Sequence, residues 1–195
     1  MAVKDLLRFI GRIEAPKGYN QVWGGIRSAD LPPKPLTSMT VREVLAWQDR
    51  IDPRYRSEAA GQYQILEDTL RGLYAEAGLG LDSLFDEAGQ DALATQLLRR
   101  RGLKRYLAGE ITAEVFANNL AHEWASLPLV SGPKKGRSVY AGDGLNKSLV
   151  SVSEFMEAVR AVGAPAVVVP TDGEDMGFWA RLVMALAGIF RGAKA

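Results

Sequence analysis

Acid-base chemistry in this chain falls to carboxylates, tyrosines and lysines, because the 195 residues include no cysteine and one histidine, His122. That excludes disulfides, thiolate nucleophiles and Cys-ligated metals, and it leaves too few imidazoles for a histidine-rich zinc site. Among the carboxylates, Glu14 has the most suggestive surroundings. It follows Ile10 by four residues and Leu7 by seven, which puts it at the edge of an apolar helical face. Pro16 stops that helix, since the residue before a proline avoids the α region. Glu14 then sits where the helix dipole presents negative charge. An exposed glutamate ionises near about pH 4.3; an apolar edge and a helix C-terminus both favour the protonated form. Such a carboxyl suits general-acid work near neutral pH, although a helix-end glutamate standing alone serves equally well as a solvated cap. The rival carboxyl is Glu123, beside His122, and both read as solvent-facing positions on a helix.

The elements that must hold these groups follow from periodicity and punctuation. Leu6, Ile10 and Ile13 predict a helix over 5–14, and the aromatic, β-branched and glycine-punctuated run Tyr19–Ile26 predicts a small strand or hairpin. Residues 28–39 hold three prolines and read as loop. Thr40 and Glu43 have capping-box spacing ahead of an apolar stripe that runs to Pro53. Tyr63, Leu66, Leu70, Leu73 and Ala77 recur at helical spacing up to Gly78. Further helices are expected at 86–101 and, from an N-cap at Thr112, at 113–126. The segment 128–150 is long and glycine-rich, the kind of loop that usually serves function. Ser151 and Glu154 open another helix with Gly163 past its end. The fold class expected is α+β: a mainly helical domain over 1–163 with one small β-sheet near its N-terminus, a linker at 164–176, and a hydrophobic C-terminal helix at 177–195.

With 24 basic and 23 acidic residues the formal charge is +1, so a general electrostatic grip on nucleic acid is not expected. The composition, 47% hydrophobic and 24% charged, is that of a globular chain. The run Arg99–Arg101 with Lys104 and Arg105 reads as a solvated helix end, with a second use in holding anionic surfaces as the alternative. The apolar run Gly177–Phe190 covers about 14 residues, or roughly 21 Å as a helix, too short for a hydrocarbon layer of roughly 30 Å. It is expected either to dock on the domain or to lie at a membrane surface through residues 177–191. The first ten residues lack the uninterrupted apolar core of a secretory signal.

Three separated segments, in order, resemble lambda-type phage lysozymes, which degrade peptidoglycan as lytic transglycosylases. The first is Glu14 with Gly18-Tyr19 and Val22-Trp23-Gly24-Gly25. The second runs from Ser57 through Ala60-Gly61-Gln62-Tyr63-Gln64-Ile65-Leu66, and the third is Trp124-Ala125-Ser126-Leu127-Pro128. Gln90-Asp91-Ala92 and Arg101-Gly102 also fall where that family has them. The chain departs from the pattern at Ala59, where the family has glycine, at Gln62, where it has arginine, and in a longer loop around Lys134–Asn146.

The resemblance implies a lysozyme-like fold and a phage endolysin that cuts the β-1,4 bond between N-acetylmuramic acid and N-acetylglucosamine. Glu14 would be the catalytic residue, and Tyr19, Ser57, Gly61, Tyr63, Gln64 and Tyr140 the substrate-binding candidates. Tyr63 and Gln64, placed on the first turn of their helix, would meet amide and hydroxyl groups, and Gly61 would let the glycan approach. The same two side chains fit a core aromatic and a helix-start amide, and Trp124 fits core packing. No cofactor or metal is implied. The partner is the peptidoglycan glycan strand, the enzyme is expected to be a monomer, and it would be made in the host cytoplasm and reach the periplasm and wall on release. A hydrolytic muramidase on the same fold and a non-catalytic wall or membrane protein acting through the C-terminal helix are the alternatives.

Overall fold

Helix α1 (Val3–Glu14) buries Leu6, Leu7, Ile10 and Gly11 on one face and ends at Glu14, two residues ahead of Pro16. In the computed structural model, which describes residues 3–142 and 146–163, this helix is flanked by α4 (Glu87–Arg100) and α7 (Val152–Gly163). Phe9 of α1 stacks on Phe155 of α7, with ring centroids 6.3 Å apart. Helix α6 (Ala113–Ala121) lies against α7, and the short α5 (Leu103–Leu107) fills the space between α4, α6 and α7. The core is continuous, with Phe85, Phe116 and Phe155 each fully buried. The described residues all fall in one unit, Met1–Ala164. The linker expected at 164–176 and the helix expected at 177–195 lie outside the described residues.

The capping signals at Thr40, Thr112 and Ser151 are realised in the structure, and Asp86 adds a cap that the sequence pattern does not single out. Thr40 accepts from the Glu43 amide while the Glu43 carboxylate accepts from the Thr40 amide, opening α2 (Val41–Ile51). Ser151 and Glu154 do the same ahead of α7. Asp86 and Thr112 cap α4 and α6 by accepting from Gly89 and Val115.

The expected β-sheet is not present: among the described residues there is no strand, only single bridges at Val22–Ala60, Ala60–Ile65 and Thr40–Leu84. The run 19–26 has alternating residues but no length, because turns at 19–20 and 24–25 leave Val22 alone to pair. Its partner is as short, since Gly61 turns the chain at φ +79° one residue after Ala60. The helix expected from Tyr63 is also displaced. Residues 60–64 form a tight turn with Gln64 held at φ +48°, Leu66 is extended, and α3 occupies only Glu67–Arg71. Helical spacing beyond it survives as further turns that close at Gly78. Helix α6 ends at Ala121 rather than near 126, because the chain turns through 122–127 ahead of Pro128.

Candidate active site

Glu14 projects from the last position of α1 onto the segment Trp124–Pro128, where its carboxylate oxygen accepts a short hydrogen bond from Ser126 Oγ. Ser126 is fixed from both sides. Trp124 is buried and donates its indole N–H to the Tyr63 carbonyl at 3.3 Å, Leu127 is fully buried, and the Ser126 carbonyl accepts from the Leu149 amide at 2.8 Å. Burial raises the Glu14 pKa above the ordinary carboxylate value, and the hydroxyl and amide of Ser126 pull against that without cancelling it. A half-buried acid inclined to keep its proton, with one donor aimed at it, is thus built into the wall of a cleft of about 600 Å³.

The facing wall is the 57–66 segment, and two buried glutamines shape it. Gln48 of α2 donates to the carbonyls of Glu58 (3.1 Å) and Ile65 (2.9 Å), clamping the ends of the turn. Gln90 of α4 accepts from the Gln62 amide at 2.8 Å and donates to the carbonyls of Phe85 and Tyr19 at 2.9 and 3.1 Å. Gln62 itself lies across Gly11 of α1, where a Cβ would stand 2.7 Å from its Cγ, and donates to the Ala15 carbonyl. The turn is thereby locked to the helix that carries Glu14. Gln64 sits in the left-handed region, with its amide donating to the Gly61 carbonyl at 2.8 Å. A non-glycine residue held there by its neighbours is the kind of strain that clusters at functional sites.

Of the residues singled out from the sequence, Glu14, Ser57, Gln64 and Tyr140 meet in this cleft. Tyr140 extends over it with its hydroxyl donating to the His122 carbonyl at 3.0 Å. Tyr19, Gly61 and Tyr63 stand elsewhere. Tyr63 is buried and donates its hydroxyl to Asp91 at 2.6 Å; Tyr19 donates to the same oxygen at 2.9 Å and faces a separate hollow beside Arg8 and Arg12. Burial and the shared Asp91 carboxylate raise both phenol pKa values, that of Tyr19 to about 12. Gly61 makes room for protein: a Cβ would lie 2.2 Å from the Gln90 Oε1. Glu123, read as solvent-facing, is instead half-buried at the cleft edge and accepts from Arg101 Nε at 2.6 Å. His122 is exposed.

Ser126, Trp23, Arg56, Glu58 and Lys147 also line the cleft, and no periodicity or spacing marks them for it. Ser126 stands between Trp124 and Pro128, but nothing in its spacing ties it to a side chain 112 positions away. Trp23 reaches its place by folding over Gly25, where a Cβ would meet the indole ring at 2.1 Å. Among the described residues no group of three or more His, Cys, Asp or Glu side chains is placed to hold a metal ion, and no helix is long and apolar enough to cross a membrane.

A family model described as Endolysin matches residues 9–152, a span that takes in both walls of the cleft. No curated protein and no solved structure matches the chain.

Proposed function

Because the chain belongs to the endolysin family, the phage enzymes that degrade peptidoglycan during host lysis, we propose that it cleaves the β-1,4 bond between N-acetylmuramic acid and N-acetylglucosamine as a lytic transglycosylase with Glu14 as the acid. The observation that carries this reading is a desolvated carboxyl facing a cleft, with the Ser126 hydroxyl donating to it. The buried Glu58 accepts from the Glu67 amide at 3.1 Å, and Glu123 is held by Arg101. Glu14 donates its proton to the bridging oxygen as the C1–O bond of the muramic acid breaks. The resulting carboxylate, steadied by Ser126, then takes the proton of the 6-hydroxyl as that oxygen bonds to C1. The products are a free 4-hydroxyl and a 1,6-anhydro ring, and Glu14 regains its proton without water being consumed. The internal nucleophile needs no water-activating second carboxylate, which an inverting hydrolase requires.

Mass spectrometry of digested sacculi tests the reading. Anhydro-muropeptides, each one water lighter than a hydrolytic product, are the expected yield; reducing muramic acid ends instead would identify a hydrolytic muramidase.

Ser126→Ala probes the acid itself. The serine hydroxyl favours the ionised form of Glu14, so its loss raises the Glu14 pKa further and carries the alkaline limb of the kcat/KM profile to higher pH. An alkaline limb that stays in place, with the fold intact by circular dichroism, would detach Ser126 from the chemistry.

A further inference from the structure

The charge inventory of the cleft points to what it binds besides sugar. Three carboxyls line it: Glu14, the acid of the reading above; Glu123, ion-paired with Arg101; and Glu58, which accepts from the Glu67 amide and has no ion-pair partner among the described residues. Two cations line it as well, Arg56 beside Ser57 and Lys147 at the start of the segment that hydrogen-bonds to Ser126 through Leu149. Elsewhere the arginines are largely consumed by acids: Arg54 by Asp30, Arg71 by Asp49 and Glu67, Arg100 by Glu76. Among the described residues no ion pair joins Arg56 or Lys147, and both are exposed. Two unpaired cations outnumber the one cleft carboxyl, Glu58, that has no cation beside it, and with the acid neutral when the substrate arrives the balance makes the cleft attractive to anions.

The glycan backbone itself is uncharged; in peptidoglycan the anionic groups near the scissile bond are the carboxylates of the peptide stem on muramic acid. Resting on the glycosidase reading above, we propose that Arg56 and Lys147 bind stem carboxylates, so that the enzyme selects glycan bearing charged stems. Arg56 can engage a carboxylate through two parallel N–H groups, and Lys147 acts as a point charge from the other segment.

The test compares uncrosslinked glycan strands with the same strands after carbodiimide-mediated amidation of their stem carboxylates. The wild-type enzyme is expected to favour the native strands by about 10-fold to 100-fold in kcat/KM, as loss of one or two charge-assisted hydrogen bonds implies, and the preference should shrink as salt is added. In Arg56→Gln/Lys147→Gln the ratio of native to amidated rates should collapse toward one. Equal wild-type rates on the two substrates, or a double variant that keeps the preference, would overturn the proposal while leaving the glycosidase reading intact. Failure of the wild-type enzyme to cut either substrate would overturn the glycosidase reading itself. Both side chains are exposed, so the variants should fold, and the two single variants repeat the comparison if the double variant does not.

Discussion

Glu14→Gln is expected to reduce degradation of purified sacculi by about 10²-fold to 10⁴-fold, the range that positioned acid-base groups contribute, without loss of the fold. Glutamine keeps the shape and can still accept from Ser126 Oγ through its amide oxygen, so what disappears is the proton. The stability of the variant sharpens the test. The folded-state pKa of Glu14 is raised, so its favourable contribution is complete below the unfolded value and is lost as pH rises through the folded one. Above that window the native protein holds a poorly solvated charge that glutamine lacks. The melting temperature of Glu14→Gln should therefore match or exceed that of the wild type at neutral pH, with the margin widening toward alkaline pH. An inactive variant that also melts lower would mean that Glu14 supports the structure. Undiminished lysis would move the activity away from the cleft, to the membrane reading of residues 177–191.

That Glu14 stands out in the sequence as a candidate, while the side chains around it in the cleft do not, has a physical cause. Its signals are local: an apolar helical face, a proline two residues on, and an end-of-helix position are all contained within residues 5–16. The helix caps at Thr40, Thr112 and Ser151 are local in the same way, each a matter of one side chain and an amide three residues along. The small sheet failed for the converse reason. Alternation and β-branching describe what a segment tolerates, whereas a ladder needs a partner of equal length, and Gly61 and the Gly24-Gly25 turn deny it. Tyr63 and Gly61 show the limit of carrying roles over from matched segments. Both occupy their positions because of Asp91 and Gln90, contacts made across 28 or more residues, so a segment can be retained for what holds the site as well as for what touches the substrate.

The second large effect is expected at Gln90, which never reaches the cleft. Gln90→Leu preserves volume but strips an acceptor from the Gln62 amide and donors from the carbonyls of Phe85 and Tyr19, all at a fully buried position. Each orphaned buried group costs about 1–3 kcal/mol; with partial relaxation a total loss of about 3–5 kcal/mol is expected. For a chain of this size that lowers the melting temperature by roughly 10 °C or more. Instability alone is a weak result, because many core changes produce it. Leu98→Ala, on the same helix and equally buried, should cost a similar about 2–5 kcal/mol through its cavity and leaves the 60–64 turn tied as before. Assayed well below both melting temperatures, Leu98→Ala should retain near-normal kcat, whereas Gln90→Leu should lose activity, because the turn that holds Gln64 in the cleft is no longer fixed to α4. If the two variants lose activity in equal measure, the turn owes its geometry to the core at large, and Gln90 has no separate part in aligning the wall that faces Glu14.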